Sequence, residues 1–484
     1  MLNAVLALVS AALLIFTFPR FNIAFLAPVA LTPLLVAVAR EARPLRRFLL
    51  GWAAGLVYWF GVCYWIQNDL ARFGGVGDVA AWALELLFAL AKGLHMAVFA
   101  LLAGILIRRW WAVPAVAAWW VAVEVTHGPL GFAWLALGNA GIDMGVPLRL
   151  APITGVYGLS FVFAMMATAL ALAVLRRPRL ELLWLVLLPF LILLPPLPPA
   201  QRGHDAALLV QPNISESQEW TKESVYRMED DLAALTLKGV LVQSAHPPSI
   251  VVWPEVPAPL YYDEDARFHN AMNTLARATR AHLLLGVVAR TPDGRPLNSA
   301  QLISPNGFPI SRYDKVNLVP FGEFVPWPFG FVNKISTEAG DFAAGTSVVV
   351  SPVDGHRIGT FICYESVFPN FVRKFAAGGA EVLFNISNDG WFGKSAAREQ
   401  HLRIVRMRAA ENRRWILRAT NDGITATIDS AGRLRGSLPL FQEAASYTGF
   451  TYAHEQTVYT KYGDWFALVC ATVTLMCLVA ERVR

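Results

Sequence analysis

Cysteine is scarce in this chain of 484 residues: it has four, and Cys363 is the only one between residues 64 and 469. A long segment with one cysteine cannot close an internal disulfide, even in a compartment where disulfides form. Cys63, Cys470 and Cys477 lie inside long apolar runs, where packing is their expected role. No group of cysteines and histidines has metal-ligand spacing, so neither a metal nor another cofactor is expected. Internal repeats and low-complexity tracts are missing too. Charge is sparse, 16% of residues against 55% hydrophobic, which is too apolar for an ordinary soluble enzyme. Residues 1–199 carry 13 basic and 7 acidic side chains and the remainder 28 of each, so the net charge of +6 belongs wholly to the first part. The remainder has no basic excess of its own, which excludes nucleic acid as a partner.

What the sequence has instead is apolar stretches. Eight are long enough, or nearly so, to cross about 30 Å of hydrocarbon: 2–18, 23–39, 48–66, 79–107, 110–125, 153–175, 180–196 and 464–480. The first lacks the basic start and small-residue cleavage site of a signal peptide and is read as a span. Basic residues alternate between the connections. Arg40, Arg43, Arg46, Arg47, Arg108, Arg109, Arg176, Arg177, Arg179, Arg482 and Arg484 fall on one side, and only Arg20, Arg72 and Arg149 on the other. The positive-inside rule then puts both termini in the cytoplasm and segment 200–460 outside, in the periplasm of a Gram-negative cell. Pro195, Pro196, Pro198 and Pro199 mark the boundary, giving seven spans in 1–199, an outer domain at 200–460 and a last span in 461–484.

The outer segment alternates apolar runs with helical patterns. Strands are predicted at 206–211, 249–253, 282–288, 299–304, 347–351, 358–363, 381–386, 414–420 and 424–429, and helices at 222–243, 264–280, 366–377 and 396–411. This is an α/β pattern of helices layered on sheets. Cys363 stands at a strand-to-helix junction in Ile-Gly-Thr-Phe-Ile-Cys-Tyr-Glu-Ser. Glu255 in Val-Val-Trp-Pro-Glu and Lys315 in Tyr-Asp-Lys each stand at or just beyond another apolar run. A thiol of ordinary pKa needs a base to attack an ester. Glu255 can take and return that proton, and Lys315 can stabilise a thiolate and an oxyanion. The Tyr364 backbone N–H is a second oxyanion donor, worth about 2–4 kcal/mol if aligned. Each residue taken alone has a plainer reading: a buried cysteine, a turn carboxylate, a surface lysine.

In order and local context, Glu255, Lys315 and Cys363 resemble the Glu-Lys-Cys triad of the carbon–nitrogen hydrolase (nitrilase) superfamily. With spans on both sides and Pro-Phe-Gly-Glu-Phe-Val-Pro at 320–326, the whole chain resembles the apolipoprotein N-acyltransferase family. That resemblance implies an eight-helix transmembrane bundle carrying an αββα sandwich outside the membrane. It implies transfer of an acyl chain from a phospholipid, through a thioester on Cys363, to the α-amino group of a diacylglyceryl-cysteine at the N-terminus of a lipoprotein. It also implies that Glu323 stabilises the site, that Tyr364 and Glu365 stand beside the nucleophile, and that Trp220 helps form a lipid-binding arm. Other readings remain for these: Glu323 as a loop brace, Tyr364 and Glu365 as a helix start, Trp220 as a residue packed under helix 222–243.

Segment 320–346, with Phe321, Phe324, Val325, Trp327, Phe329 and Phe331 among prolines and glycines, reads as a lid with aromatics in the interface. In the loop after the strand at 381–386, Trp391 and Phe392 are expected to touch the membrane and Asn388 and Asp389 to form a turn. His401 is expected to be solvated or hydrogen-bonded, not a ligand. Glu85, Lys92 and His95 share a helical face, with an internal ion pair favoured over substrate contact. Glu124 and His127 are expected to snorkel to water, and 128–150, with Trp134 and Met144, to lie at the interface beneath the site. Two rival functions are a membrane-tethered amidase with water as acceptor, and a transporter or sensor in which Cys363 is dispensable.

Overall fold

The computed structural model describes all residues except 130–131, 177–178, 201, 243–245, 257, 326–341 and 483–484. Among the described residues, eight α-helices precede the sheets: Leu2–Thr17 (α1), Thr32–Arg40 (α2), Pro44–Val62 (α3), Trp65–Arg72 (α4), Gly77–Leu106 (α5), Ala112–Glu124 (α6), Ala151–Thr154 (α7) and Val156–Val174 (α8). Among the described residues, α5 and α8 are long and apolar enough to cross a membrane, and α3 with α4 forms a third candidate bent by 58°. Leu2–Thr17, Ala112–His127, Leu180–Leu193 and Trp465–Glu481 are shorter apolar helices. Proline explains two departures from unbroken spans, since it lacks an N–H and clashes with the preceding turn. The stretch 23–39 divides into a short turn at Ala24–Leu26 and α2, whose first turn holds Pro33. The stretch after residue 179 winds as a 3₁₀ helix with Pro189 inside. Glycine sets the packing of α3 on α5. A Cβ on Gly55 would stand 2.8 Å from the Cα of Gly93, so the two backbones touch.

Between residues 205 and 450 the described residues form two six-stranded sheets. Strands β1 (Asp205–Gln211), β2 (Ile250–Val252), β3 (His282–Arg290), β4 (Pro296–Ile303) and β5 (Pro309–Asp314) form one. Strands β6 (Val350–Val353), β7 (His356–Ile362), β8 (Val382–Ser387), β9 (Ile416–Thr420), β10 (Ala426–Ile428) and β11 (Leu434–Ser437) form the other. The last strand, β12 (Ala444–Phe450), returns beside β1, so the orders are β12-β1-β2-β3-β4-β5 and β11-β10-β9-β8-β7-β6. Helices α9 (Lys222–Val242) and α10 (Ala266–Thr279) pack on the first sheet, and α11 (Pro369–Ala377) and α12 (Ala397–Asn412) on the second. The result is an α-β-β-α sandwich, as expected. Its nine anticipated strands are present. β5, β11 and β12 were not anticipated: they are largely unburied, so no apolar run announces them. After the sandwich come α13 (Val458–Tyr462) and α14 (Trp465–Arg482).

Helix α12 seats the sandwich on the helical part. Gln400 accepts from Trp134 Nε1 at 2.7 Å and donates to the carbonyls of Pro19 at 2.6 Å and Val62 at 3.1 Å. Further along, Glu411 accepts the backbone N–H of Val156 at 2.9 Å, and Arg406 pairs with Asp143. The segment around Trp134 therefore does lie beneath the sandwich, but Trp134 itself is buried there and not at an interface with lipid.

Candidate active site

Parallel pairing places several strand ends at one edge of the sandwich. β1, β2 and β3 run parallel in one sheet and β7, β8 and β9 in the other. Glu255 follows β2, Cys363 follows β7, and the loops after β8 and β9 carry Asn388 and Asn421. Lys315 leaves the end of β5. Cys363 has a φ of +49°, a left-handed conformation that costs a non-glycine residue of order 1–3 kcal/mol and is found where geometry is held for a purpose. The sharp turn stands its thiol at the junction of β7 with a short helix, Cys363–Val367.

The ammonium of Lys315 sits between two carboxylates. It donates to Glu255 Oε1 and to Glu323 Oε1, both at 2.9 Å. Asn298 Nδ2 donates to the same two oxygens, each at 2.7 Å. The other Glu255 oxygen accepts the backbone N–H of Asn388 at 2.8 Å, and the other Glu323 oxygen that of Val319 at 2.8 Å. Burial alone would lower the Lys315 pKa, but the charges of Glu255, Glu323 and Cys363 outweigh it and hold the group protonated. Cys363 is 6% exposed. Burial, then the Glu255 charge, push its thiol well above the ordinary range, while Lys315 and a hydrogen bond with Ser387 pull the other way. A thiol raised in this way beside a carboxylate favours giving up its proton as it attacks. Such a pair suits proton shuttling better than a standing thiolate.

Buried carboxylates and a histidine fix the turn from behind. Glu365 accepts from Tyr313 Oη at 2.6 Å and from the backbone N–H groups of Val316 at 2.7 Å and Asn317 at 3.1 Å. Its other oxygen accepts the Ile362 N–H at 2.7 Å. It thus ties the cysteine turn to the chain just past Lys315, and burial pushes its carboxyl up to about 7 against the pull of these donors. His401 is fully buried and hydrogen-bonded, not solvated: Nε2 lies 2.8 Å from Ser366 Oγ and 3.1 Å from the Cys363 carbonyl, and Nδ1 lies 3.1 Å from Asp389 Oδ1. Asp389 is more than a turn-former. Burial opposes its ionisation, but Arg418, whose Nη2 donates to both its oxygens at 2.7 Å, outweighs that and holds the carboxyl far below its usual range.

Glu323 therefore stands with Glu255 and Lys315, and Tyr364 follows Cys363 as a buried ring 6.3 Å from that of Phe132. Trp391 points outward, 46% exposed, with its ring on Phe73 at the end of α4. Phe392 turns inward instead, between Trp65 and Trp134, because those rings offer it an apolar seat. Trp220 is 37% exposed just before α9 and is not packed beneath that helix. Of the lid aromatics, Trp327, Phe329 and Phe331 lie outside the described residues, and Phe321 is exposed.

Within the helical part the expected ion pair does not form. Lys92 Nζ lies 2.6 Å from His127 Nδ1, donates to the Phe132 carbonyl at 2.9 Å and stands over the Trp59 ring at 4.8 Å. Both Glu85 carboxylate oxygens are without a hydrogen-bond partner among the described residues. His95 stacks on His127 at 4.0 Å. Glu124 does not reach water either: it accepts the Leu137 N–H at 2.7 Å and Trp120 Nε1 at 3.1 Å, because the segment after α6 folds back over it.

Asn298 and Arg418 were missed by sequence reasoning. Each is a polar side chain inside an otherwise buried strand, β4 or β9, and that mismatch was the available signal.

A sandwich of this topology, with a carboxylate-bound ammonium and a strained cysteine at one edge, defines a carbon–nitrogen hydrolase, and residues 209–457 match that family. Residues 10–169 match the N-terminal domain of apolipoprotein N-acyltransferases. An apolipoprotein N-acyltransferase of Geobacter metallireducens is 34% identical over 96% of this chain and 92% of its own length. One of Pseudomonas putida is 32% identical over 99% and 97%. The chain belongs to the apolipoprotein N-acyltransferase family. Among solved structures, an amidase of the nitrilase superfamily from Nesterenkonia is 17% identical, with a TM-score of 0.39 over 52% of this chain and 92% of that one.

Proposed function

We propose that this chain is the phospholipid-dependent N-acyltransferase of a bacterial inner membrane, with Cys363 as nucleophile, Glu255 as general base and acid, and Lys315 as electrostatic stabiliser. The observation that carries the reading is the Lys315 ammonium held at 2.9 Å by two carboxylates beside a strained cysteine, in a chain of this family. In the first half-reaction the thiol proton passes to Glu255 and Sγ forms a bond to the ester carbonyl carbon. Lys315 and the Tyr364 N–H meet the oxyanion. The ester C–O bond breaks, the lysophospholipid alkoxide takes the proton from Glu255, and a thioester remains. In the second, the α-amine of a diacylglyceryl lipoprotein forms the C–N bond and gives a proton to Glu255. The C–S bond breaks and Sγ recovers the proton.

The topology belongs to the same proposal: residues 1–199 supply seven spans, 200–460 the extracytoplasmic catalytic domain and 461–484 the last span, with both termini cytoplasmic. The apolar helices and the arginine asymmetry of the connections support it.

Intact-mass measurement after incubation with phosphatidylethanolamine should reveal one added acyl chain at Cys363, discharged by a diacylglyceryl lipopeptide. Release of free fatty acid at the same rate with or without lipopeptide would favour the amidase reading. Labelling that located residues 205–450 in the cytoplasm would defeat the topology.

Gly286 offers a test of how the base is placed. An added Cβ would lie 2.1 Å from the Pro254 carbonyl oxygen and 2.8 Å from the Glu255 Cα. Gly286→Ala should displace Glu255 and lower kcat/KM for N-acylation about 100-fold. Activity within twofold of the native enzyme would show that this backbone approach does not govern the base.

A further inference from the structure

The loop after β1 brings one more carboxylate to the edge of the sandwich where Cys363 stands. Glu216 is half-buried there. Its Oε1 accepts from Asn421 Nδ2 at 3.0 Å, and its carboxylate is hydrogen-bonded by the Asn388 side chain. Asn388 is the residue whose backbone N–H holds Glu255 at 2.8 Å, so Glu216 is one residue removed from the catalytic carboxylate. Gly390 completes the seat: a Cβ there would fall 2.2 Å from Glu216 Oε1, so only a bare backbone lets the carboxylate lie against this loop.

The neighbouring acids are neutralised. Glu255 has Lys315 and Asp422 has Arg398. Glu216 has only amide donors, and among the described residues no cation lies within ion-pair distance of it. Burial, with the charges of Asp422 and Glu255, pushes its carboxyl up to about 7. An arriving cation would reverse that, since an opposite charge favours the ionised form. The reaction supplies such a cation. An α-amino group titrates near 8, so the acceptor reaches neutral solution largely as an ammonium.

We propose that Glu216 binds the α-ammonium group of the acceptor lipoprotein and holds the second substrate beside Glu255; the ammonium gives one proton to bulk water, and the neutral amine so formed gives the next to Glu255 as it attacks. This assignment rests on the acyl-transfer reading above and concerns only the second half-reaction. The phospholipid donor presents its ester to Cys363 and needs nothing from Glu216 in that step.

The test compares the full-length native enzyme with Glu216→Gln and Glu216→Asp in detergent micelles. Phosphatidylethanolamine is the donor and a diacylglyceryl-cysteinyl peptide the acceptor. In Glu216→Gln the rate of acyl-enzyme formation should stay within about twofold of native, while KM for the peptide rises about tenfold, the loss of one charge-assisted hydrogen bond. Glu216→Asp, which keeps the charge, should recover part of that KM. An unchanged peptide KM would overturn the assignment. So would a parallel fall in acyl-enzyme formation, which would make Glu216 a brace for the 388–390 loop. A native enzyme that never gains acyl mass would defeat the thioester mechanism, and the KM comparison would still decide the role of Glu216.

Discussion

Cys363→Ala should carry no acyl chain after incubation with phospholipid and should lower N-acylation at least 10³-fold, with the fold intact. The reasoning is chemical before it is familial. Only this sulfur stands at the turn where the charges of Glu255 and Lys315 converge, and alanine offers nothing for an ester to acylate. When a nucleophile acts as a unit with its base, removing it forfeits nearly the whole covalent route. Cys363→Ser should be almost as poor, because a serine hydroxyl is a weaker nucleophile than the thiol that this site has to activate. Intact-mass analysis reads the adduct, and a lipopeptide assay reads the rate. Native-like N-acylation by Cys363→Ala would rule out an obligatory thioester at this position.

Lys315→Met should do damage of two kinds. Lys315 is 1% exposed and is shared by Glu255 and Glu323, so methionine would fill most of its volume but leave two buried carboxylates facing one another. Removing one partner of a buried ion pair costs about 3–5 kcal/mol. The lost positive charge also removes an oxyanion donor, an effect of about 10²–10³ in kcat. Thermal unfolding in detergent and single-turnover acylation of Cys363 measure the two separately. Lys315→Arg keeps the charge but not the compact geometry, and it should recover stability better than rate. A stable Lys315→Met enzyme with normal acylation would mean that the ammonium is structural ornament.

The sandwich was legible because its interior strands are unbroken apolar runs and its helices carry clear periodicity, as in β3 and α10. The edge strands were not, since a half-solvated strand such as β11 needs no apolar pattern. Of the site, the three chemical groups could be read from residue type and context. The groups that orient them could not: Asn388 acts on Glu255 through a backbone N–H, to which its side chain gives no clue. His401 and Arg418 looked like ordinary members of a charged helix and a strand, and only the packing of β8 and β9 brings them onto Asp389. In the helical part, helix periodicity correctly put Glu85, Lys92 and His95 on one face but could not foresee that His127 and the Phe132 carbonyl would claim the lysine first.

Gln400 has a consequence for biogenesis. Its amide reaches back 381 residues to the Pro19 carbonyl and 338 residues to that of Val62. At a synthesis rate of about 5–20 residues per second, the first helices therefore leave the ribosome some tens of seconds before their partner exists. Over that interval the early bundle is an unfinished floor, and it is completed only when helix α12 has been made and has settled onto it.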